Sequence, residues 1–256
     1  MGVGRHMDRP ARRGYQAGTR PGTRLNIWES LLFIVLLILA GYVLFRSPLF
    51  AVQRLEVTGT RLLQPDQIRA LAGINLGENI FQVDLSQAKQ RISLLPMVKT
   101  VTVSRVLPST VRIEVTERTP LVLLQEGNVF AELDADGYYL GPGTVTAAGL
   151  PILTGIQASL PAPGQKVTAT GLPAVLGFVA GLPPALLPRL SEIHVAGDGS
   201  LVLYTLYGVP VMAGDTAAPA QKGALLLAML QQLDKGKAIA YIDIASVNSP
   251  VIKYRN

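Results

Sequence analysis

The chain contains no cysteine, which excludes disulfide stapling, thiolate nucleophiles and zinc–thiolate sites together. Histidine is nearly as scarce, since His6 and His194 are the whole supply. His6 sits in an arginine-rich tail, and His194 sits in Ser191 to Ala196, which reads as a strand. A histidine base would need a nucleophile converging on it. No Gly-x-Ser-x-Gly or Ser-x-x-Lys motif supplies one, and neither a Walker A loop nor a dinucleotide glycine motif occurs. His194 is therefore read as an exposed or satisfied strand residue. Glu132, Asp134, Asp136 and Gly137 imitate the opening of a calcium loop, but the twelfth position is Gly143, where a bidentate glutamate is required. That stretch is read as a hairpin tip with solvated carboxylates. No catalytic group, cofactor or metal is expected.

Charge of either sign is missing from Ser30 to Phe45, and Arg24 and Arg46 bracket the wider apolar stretch. Those 16 residues reach only ~24 Å as a helix, short of a ~30 Å hydrocarbon core. Starting at Leu25 gives 21 residues and ~31 Å. The span then includes Glu29, tolerable at the headgroup boundary where Trp28 serves as an interfacial aromatic. The formal charge is +6, and almost all of that excess lies in Arg5, Arg9, Arg12, Arg13, Arg20 and Arg24. Residues 47–256 hold 16 basic and 15 acidic side chains. The positive-inside rule puts residues 1–24 in the cytoplasm and the bulk outside. A cleavable signal peptide has the same layout, but Arg46-Ser47-Pro48-Leu49-Phe50 offers no small-x-small site, so an uncleaved anchor over 25–46 is expected. Clustered arginines also suit nucleic-acid phosphates, yet no aromatic platform accompanies them. Lipid headgroup contact and topology are the better reading, with no nucleic-acid partner.

Alternation carries the rest. Leu95 to Pro120, LPMVKTVTVSRVLPSTVRIEVTERTP, reads as a β-hairpin with Val101, Val103, Val111, Ile113 and Val115 on one face and Thr100, Thr102, Ser104, Arg112, Glu114 and Thr116 on the other. Gln64 to Ile74 predicts a short amphipathic helix, with Pro65 opening it, Ile68, Leu71 and Ala72 on one stripe and Gly73 stopping it. Asp84 to Leu95 predicts a second, with Asp84 and Gln87 in capping-box spacing and Leu85, Ala88, Ile92 and Leu95 on its stripe. Val52 to Thr58 is expected to be an edge or first strand.

The order strand, helix, helix, strand, strand resembles a POTRA domain. Leu95, Pro96, Val98, Val103, Arg105, Pro108, Val111, Ile113, Val115, Glu117, Arg118 and Pro120 resemble the hairpin wording of the FtsQ/DivIB family of bacterial cell-division proteins. The resemblance implies a POTRA domain over 50–120 and a mostly antiparallel β domain over 121–256, an α+β chain with a C-terminal helix and terminal strands.

The strand pattern of the second part is Leu121 to Leu124, Asn128 to Leu133, Tyr138 to Leu140, Ser191 to Ala196, Ser200 to Leu206, Val209 to Ala213, Ala238 to Ile244 and Pro250 to Tyr254. Asp136-Gly137 and Gly197-Asp198-Gly199 mark turns. Gly141 to Pro151 and Ala158 to Gly164 read as loops. Leu172 to Leu190 suggests one or two short helices, and Ala217 to Leu233 a clearer one, with Pro219 opening it and Leu225, Leu226, Met229, Leu230 and Leu233 as its stripe. The pieces Asp134-Ala135-Asp136-Gly137-Tyr138 and Tyr241-Ile242-Asp243-Ile244 extend the resemblance.

For a binding scaffold the telling feature is a terminal strand that pairs on one side only. The resemblance implies that small bitopic partners of the FtsB/DivIC type dock there, at Asp243, Ser246, Asn248, Pro250, Val251 and Ile252, with FtsL-type and other divisome membrane proteins as further partners. Ala245, Val247 and Asn248 depart from residues that family members often carry. Proline or charge at Val251 and Ile252 is expected to abolish partner capture without unfolding. The expected role is non-enzymatic recruitment of septal wall-synthesis partners at the division site. The alternative, an outer-membrane assembly or secretion component, calls for several POTRA repeats and a closed barrel.

Overall fold

Helix α1 (Ile27–Phe45) forms where the sequence lacks charge, and none of its side chains is buried. Its 19 residues rise ~28 Å, and Glu29 lies in the first turn, where the helix dipole favours a negative charge. It fits a single transmembrane span. The structure, a computed structural model, describes residues 27–145, 149–232 and 238–255. The arginine tail, Arg24 and Leu25 included, lies outside the described residues, as does Leu233. The chain divides into two units, Met1–Ser47 and Pro48–Asn256.

The second unit begins with β1 (Arg54–Thr58), α2 (Pro65–Ala72), α3 (Leu85–Ser93), β2 (Val98–Val106) and β3 (Thr110–Glu117). The strands form a sheet in the order β1-β3-β2, with β1 parallel to β3 and β2 antiparallel to it. Local chemistry sets the helix ends. Pro65 opens α2, and Gly73 closes it in the left-handed region at φ 63°, where a side chain would be strained. The Asp84 carboxylate caps α3 by accepting the Gln87 N–H at 2.9 Å. Both helices then bury one stripe, Ile68 and Ala72 from α2 and Ala88 and Ile92 from α3, against Val101, Val111, Ile113 and Val115.

Two details depart from simple alternation. Val98 pairs with Glu117 while Thr100 pairs with Thr116, so Lys99 is an extra residue in a bulge. The bulge lets Val98 and Val101 both face the core. At the other end β1 starts two residues later than expected, because Val52 is buried and donates its N–H to Glu78 O at 2.8 Å.

The remainder builds one nine-stranded sheet from β4 (Pro120–Glu126), β5 (Val129–Asp134), β6 (Tyr139–Pro142), β7 (Ile152–Thr154), β8 (Leu190–Val195), β9 (Leu201–Thr205), β10 (Pro210–Gly214), β11 (Ile239–Asp243) and β12 (Val251–Tyr254). Their order is β12-β11-β10-β9-β8-β7-β4-β5-β6. Pairing is mostly antiparallel, with β4–β7, β7–β8 and β10–β11 parallel. Helices α4 (Leu172–Ala180) and α5 (Pro219–Gln232) contribute side chains to the core on one face. Leu172 to Leu190 thus yields one α-helix and a 3₁₀ turn, Leu187–Arg189. In α5 the buried Lys222 places its ammonium 2.6 Å from the Asp215 carboxylate and 3.0 Å from its carbonyl, so the charge is paired.

Strand register lines up an apolar row across eight of the nine strands: Ala131, Leu124, Leu153, Ile193, Leu203, Val211, Ile242 and Ile252. The row passes through β7, a strand the sequence reading does not assign. Three residues are too few to show a period of two, and Pro151 and Gly155 frame them as loop. Yet β7 alone joins the β4–β6 group to the β8–β12 group. Truncating Leu153→Ala, fully buried in this row, is expected to cost roughly 2–5 kcal/mol in urea unfolding. A cost below about 1 kcal/mol would show that β7 is an insert rather than the seam of the core.

Candidate functional site

The two ends of the nine-stranded sheet are treated differently. Along β6 the segment 164–167 supplies partners: Tyr139 donates to Gln165 O at 2.9 Å, Gly164 to Tyr139 O at 2.7 Å and Val167 to Gly137 O at 2.9 Å. At the opposite end β12 pairs with β11 alone among the described strands. Among the described residues, no strand pairs with the outer side of β12, which is therefore a sheet edge.

The candidate residues from the sequence divide into three environments. Asp243 ends β11, sits opposite Val251, and accepts the Ala245 N–H at 2.9 Å. Ser246, Asn248 and Pro250 lie exposed in the connecting loop, where Ser249 donates to Ser246 O at 3.3 Å. Val251 is 49% exposed. Ile252, partly buried, occupies the end of the apolar row and packs against the core. A charge at Ile252 disturbs packing, whereas Val251 points to the solvated face. That face also carries Met212, which the register places beside Asp243, and Tyr241, whose ring lies 5.9 Å from the Lys253 ammonium. Sequence reasoning missed Met212 and Tyr241, although the alternation of Val211 with Met212 and Ile242 with Tyr241 is visible in it. Near the other terminus, Trp28 is exposed in the first turn of α1, and the Arg46 guanidinium lies 5.2 Å from the Tyr42 ring.

A second cluster lies mid-sheet on the same solvated face. Thr154 donates to Glu192 Oε1 at 2.6 Å, which leaves its oxygen to accept from His194 Nδ1 at 2.8 Å. His194 is thus a satisfied strand histidine.

The junction between the two sheets gives the motif residues their physical roles. Only Arg118 and Thr119 separate β3 from β4. The carboxylate of Glu117 accepts three backbone N–H groups, from Arg61, Leu62 and Leu63, at 2.9 Å each. Burial pushes its pKa up, but those bonds and the Arg61 charge outweigh this and hold it below the ordinary 4.5. Arg105 donates to Ile80 O at 2.6 Å and Val83 O at 2.7 Å, tying β2 to the loop before α3. Arg118 crosses the junction to meet Asp134 Oδ2 at 2.6 Å, and its guanidinium stacks 3.6 Å over the Tyr138 ring. Lys99, extruded by the bulge, reaches Asp136 at 2.8 Å and holds that carboxyl below its usual range. Asp134 overturns the solvated-tip expectation: it is buried, and it also accepts the N–H of Asp136 at 3.0 Å and of Tyr138 at 2.8 Å. The acidic loop that imitates a calcium site uses its first aspartate after Glu132 as an internal counter-ion. Among the described residues no group of three or more acidic or histidine side chains is arranged to hold a metal.

A family model described as POTRA domain, FtsQ-type, matches residues 50–118, and one described as cell division protein FtsQ/DivIB, C-terminal, matches residues 122–245. The chain belongs to the FtsQ/DivIB family. The first model ends on Arg118, so the junction described above is the seam between the two FtsQ/DivIB modules. The chain is similar to the cell division protein FtsQ of Corynebacterium glutamicum, 41% identical over 111 residues that cover 43% of this chain and 50% of that protein. It is also similar to FtsQ of Streptomyces venezuelae, 29% identical over 242 residues, 91% of this chain and 88% of that one. FtsQ of Rhodothermus marinus is 29% identical over 214 residues, 78% and 76% of the two chains. The match to the Corynebacterium relative thus spans half of its length.

Two outcomes follow from the junction. Arg118→Ala leaves the Asp134 carboxylate buried without a counter-ion and is expected to cost about 3–5 kcal/mol in chemical unfolding. Lys99→Ala, which frees a half-exposed pair, is expected to cost far less, and equal losses would contradict the burial argument. For Glu117 the folded pKa is depressed, so its contribution is fully present above pH 4.5 and is lost as pH falls through the lower folded value. Acid titration of the unfolding midpoint should show this slope below pH 4.5. Glu117→Gln should flatten it, and an unchanged slope would remove Glu117 as its source.

Proposed function

We propose that this chain is a non-enzymatic scaffold of the cell-division machinery that links septal wall-synthesis partners at the division site. The edge of β12 carries the reading, because the opposite edge of the same sheet is occupied, whereas among the described strands β12 pairs with β11 alone. The basic tail puts the N-terminus in the cytoplasm by the positive-inside rule, leaving both sheets outside the cytoplasmic membrane. The partners are small bitopic proteins of the FtsB/DivIC and FtsL type, each adding an extended segment to β12 by backbone pairing. Such a segment would lay apolar side chains over Val251 and Met212 and place a basic group near Asp243.

Recruitment of this kind is stoichiometric, and the membrane helix raises the effective concentration of partners that share its bilayer. Depletion of the protein is expected to leave cells filamentous, and normal septation without it would count against the assignment. Val251→Lys should lower partner co-purification about tenfold or more while the thermal unfolding midpoint stays put. Ile252→Lys should lower the unfolding midpoint itself. Undiminished partner capture by the Val251 variant would discard the edge as the docking site.

A further inference from the structure

The module built from β1–β3 collects exposed apolar side chains at the end where the chain arrives from α1. Pro48–Phe50 forms a 3₁₀ turn, and three hydrogen bonds of 2.8 Å lay the 75–81 loop against the residues that follow: Val52 to Glu78 O, Gly77 to Val52 O and Ile80 to Phe50 O. The Phe50 and Phe81 rings lie 5.2 Å apart. The tip of the β2–β3 hairpin reaches the same end, since Gln53 donates to Ser109 O at 2.8 Å and Arg54 pairs with Thr110. Arg105 closes the set by bonding the carbonyls of Ile80 and Val83. Three segments distant in sequence thereby present Leu49, Leu76, Phe81 and Leu107 at one end, exposed by 53%, 66%, 40% and 58%. Arg54 borders them, and Glu78, half-buried, is the acidic residue of the loop.

What covers this end follows from the tether. Four Cα steps separate Phe45 from Leu49, which cannot exceed about 15 Å. The headgroup layer on one side of a bilayer is about 5–8 Å thick, and interfacial apolar residues sink ~5–10 Å into the headgroup–acyl boundary. A module held on so short a leash to a membrane-spanning helix keeps this end within reach of lipid. We propose that it is a membrane-contact surface, with Leu76, Phe81 and Leu107, alongside Leu49, seated in the interface of the bilayer that α1 crosses. The contact would fix the tilt of the module on the membrane. It rests on α1 spanning the bilayer.

The absence of cysteine allows a direct test on the full chain. Leu76→Cys, Leu107→Cys and, at the opposite end of the module, Leu94→Cys are each labelled with an environment-sensitive fluorophore and reconstituted at low density in phosphatidylcholine–phosphatidylglycerol vesicles. Labels at 76 and 107 are expected to be quenched about threefold more by a lipid carrying a shallow doxyl group than the label at 94, and to be shielded from aqueous iodide. Equal lipid quenching at the three positions would overturn the proposal. Shielding from iodide without lipid quenching would also overturn it, in favour of a protein occupant. Trp28, the only tryptophan, reports insertion of α1 separately in the same vesicles, so a failure of the span is distinguishable from a failure of the contact.

Discussion

The pairing of Arg118 with Asp134 is the constraint on which the arrangement of the two sheets depends. Both side chains are about nine-tenths or more buried, so neither charge has water to fall back on. The guanidinium is held on one side by the carboxylate and on its face by Tyr138. Its neighbour Glu117 clamps the 61–63 loop of the first module. Two consecutive residues thus face opposite ways along the chain, one closing the module behind it and one gripping the turn ahead. A linker as short as Arg118-Thr119 limits the reachable orientations, and the ion pair selects among them. Geometry between the sheets is therefore written in charge as well as in packing.

That division of labour explains what could be read from the sequence and what could not. Periodic burial was legible: Ile68 and Ala72, Ala88 and Ile92, and the hairpin valines all reach the core that their spacing implies. Capping chemistry at Asp84 and Gly73 was legible because each acts within three residues of itself. Long-range polar pairing was not. Nothing local distinguishes Asp134 from Asp136, yet one is a buried counter-ion and the other a half-exposed partner of Lys99. The bulge that delivers Lys99 is equally hidden, since it shows only as a slip of register against β3.

At the terminal edge the limit was different. A row of residues in register across eight strands decides that Ile252 belongs to the core, and no window of sequence contains that row. Alternation within β12 does separate Val251 from Ile252, but it does not say which of them faces inward. The sign comes from Ile242 and Val211, supplied by a parallel pairing whose strands are separated by α5. The same reasoning explains why β7 escapes notice, because its importance lies in its neighbours on both sides rather than in its own residues.

Strength of capture at such an edge is limited by its length. β12 has four residues, of which alternation turns about half outward. A partner strand thus gains at most about four backbone hydrogen bonds, worth roughly 2–6 kcal/mol net. Losing translational and rotational freedom costs about 4–15 kcal/mol, so backbone pairing alone leaves free partners dissociated at ordinary concentrations. Two further contributions must close the gap: desolvation of the apolar surface at Val251 and Met212, and confinement of both proteins to one membrane. Confinement prepays part of the association entropy, and it does so only for partners anchored in the same bilayer. In the proposed docking, a short, weak edge would accordingly be selective in a way that a long, adhesive one is not, because it would ignore strands that diffuse freely and hold those delivered by a membrane helix of their own.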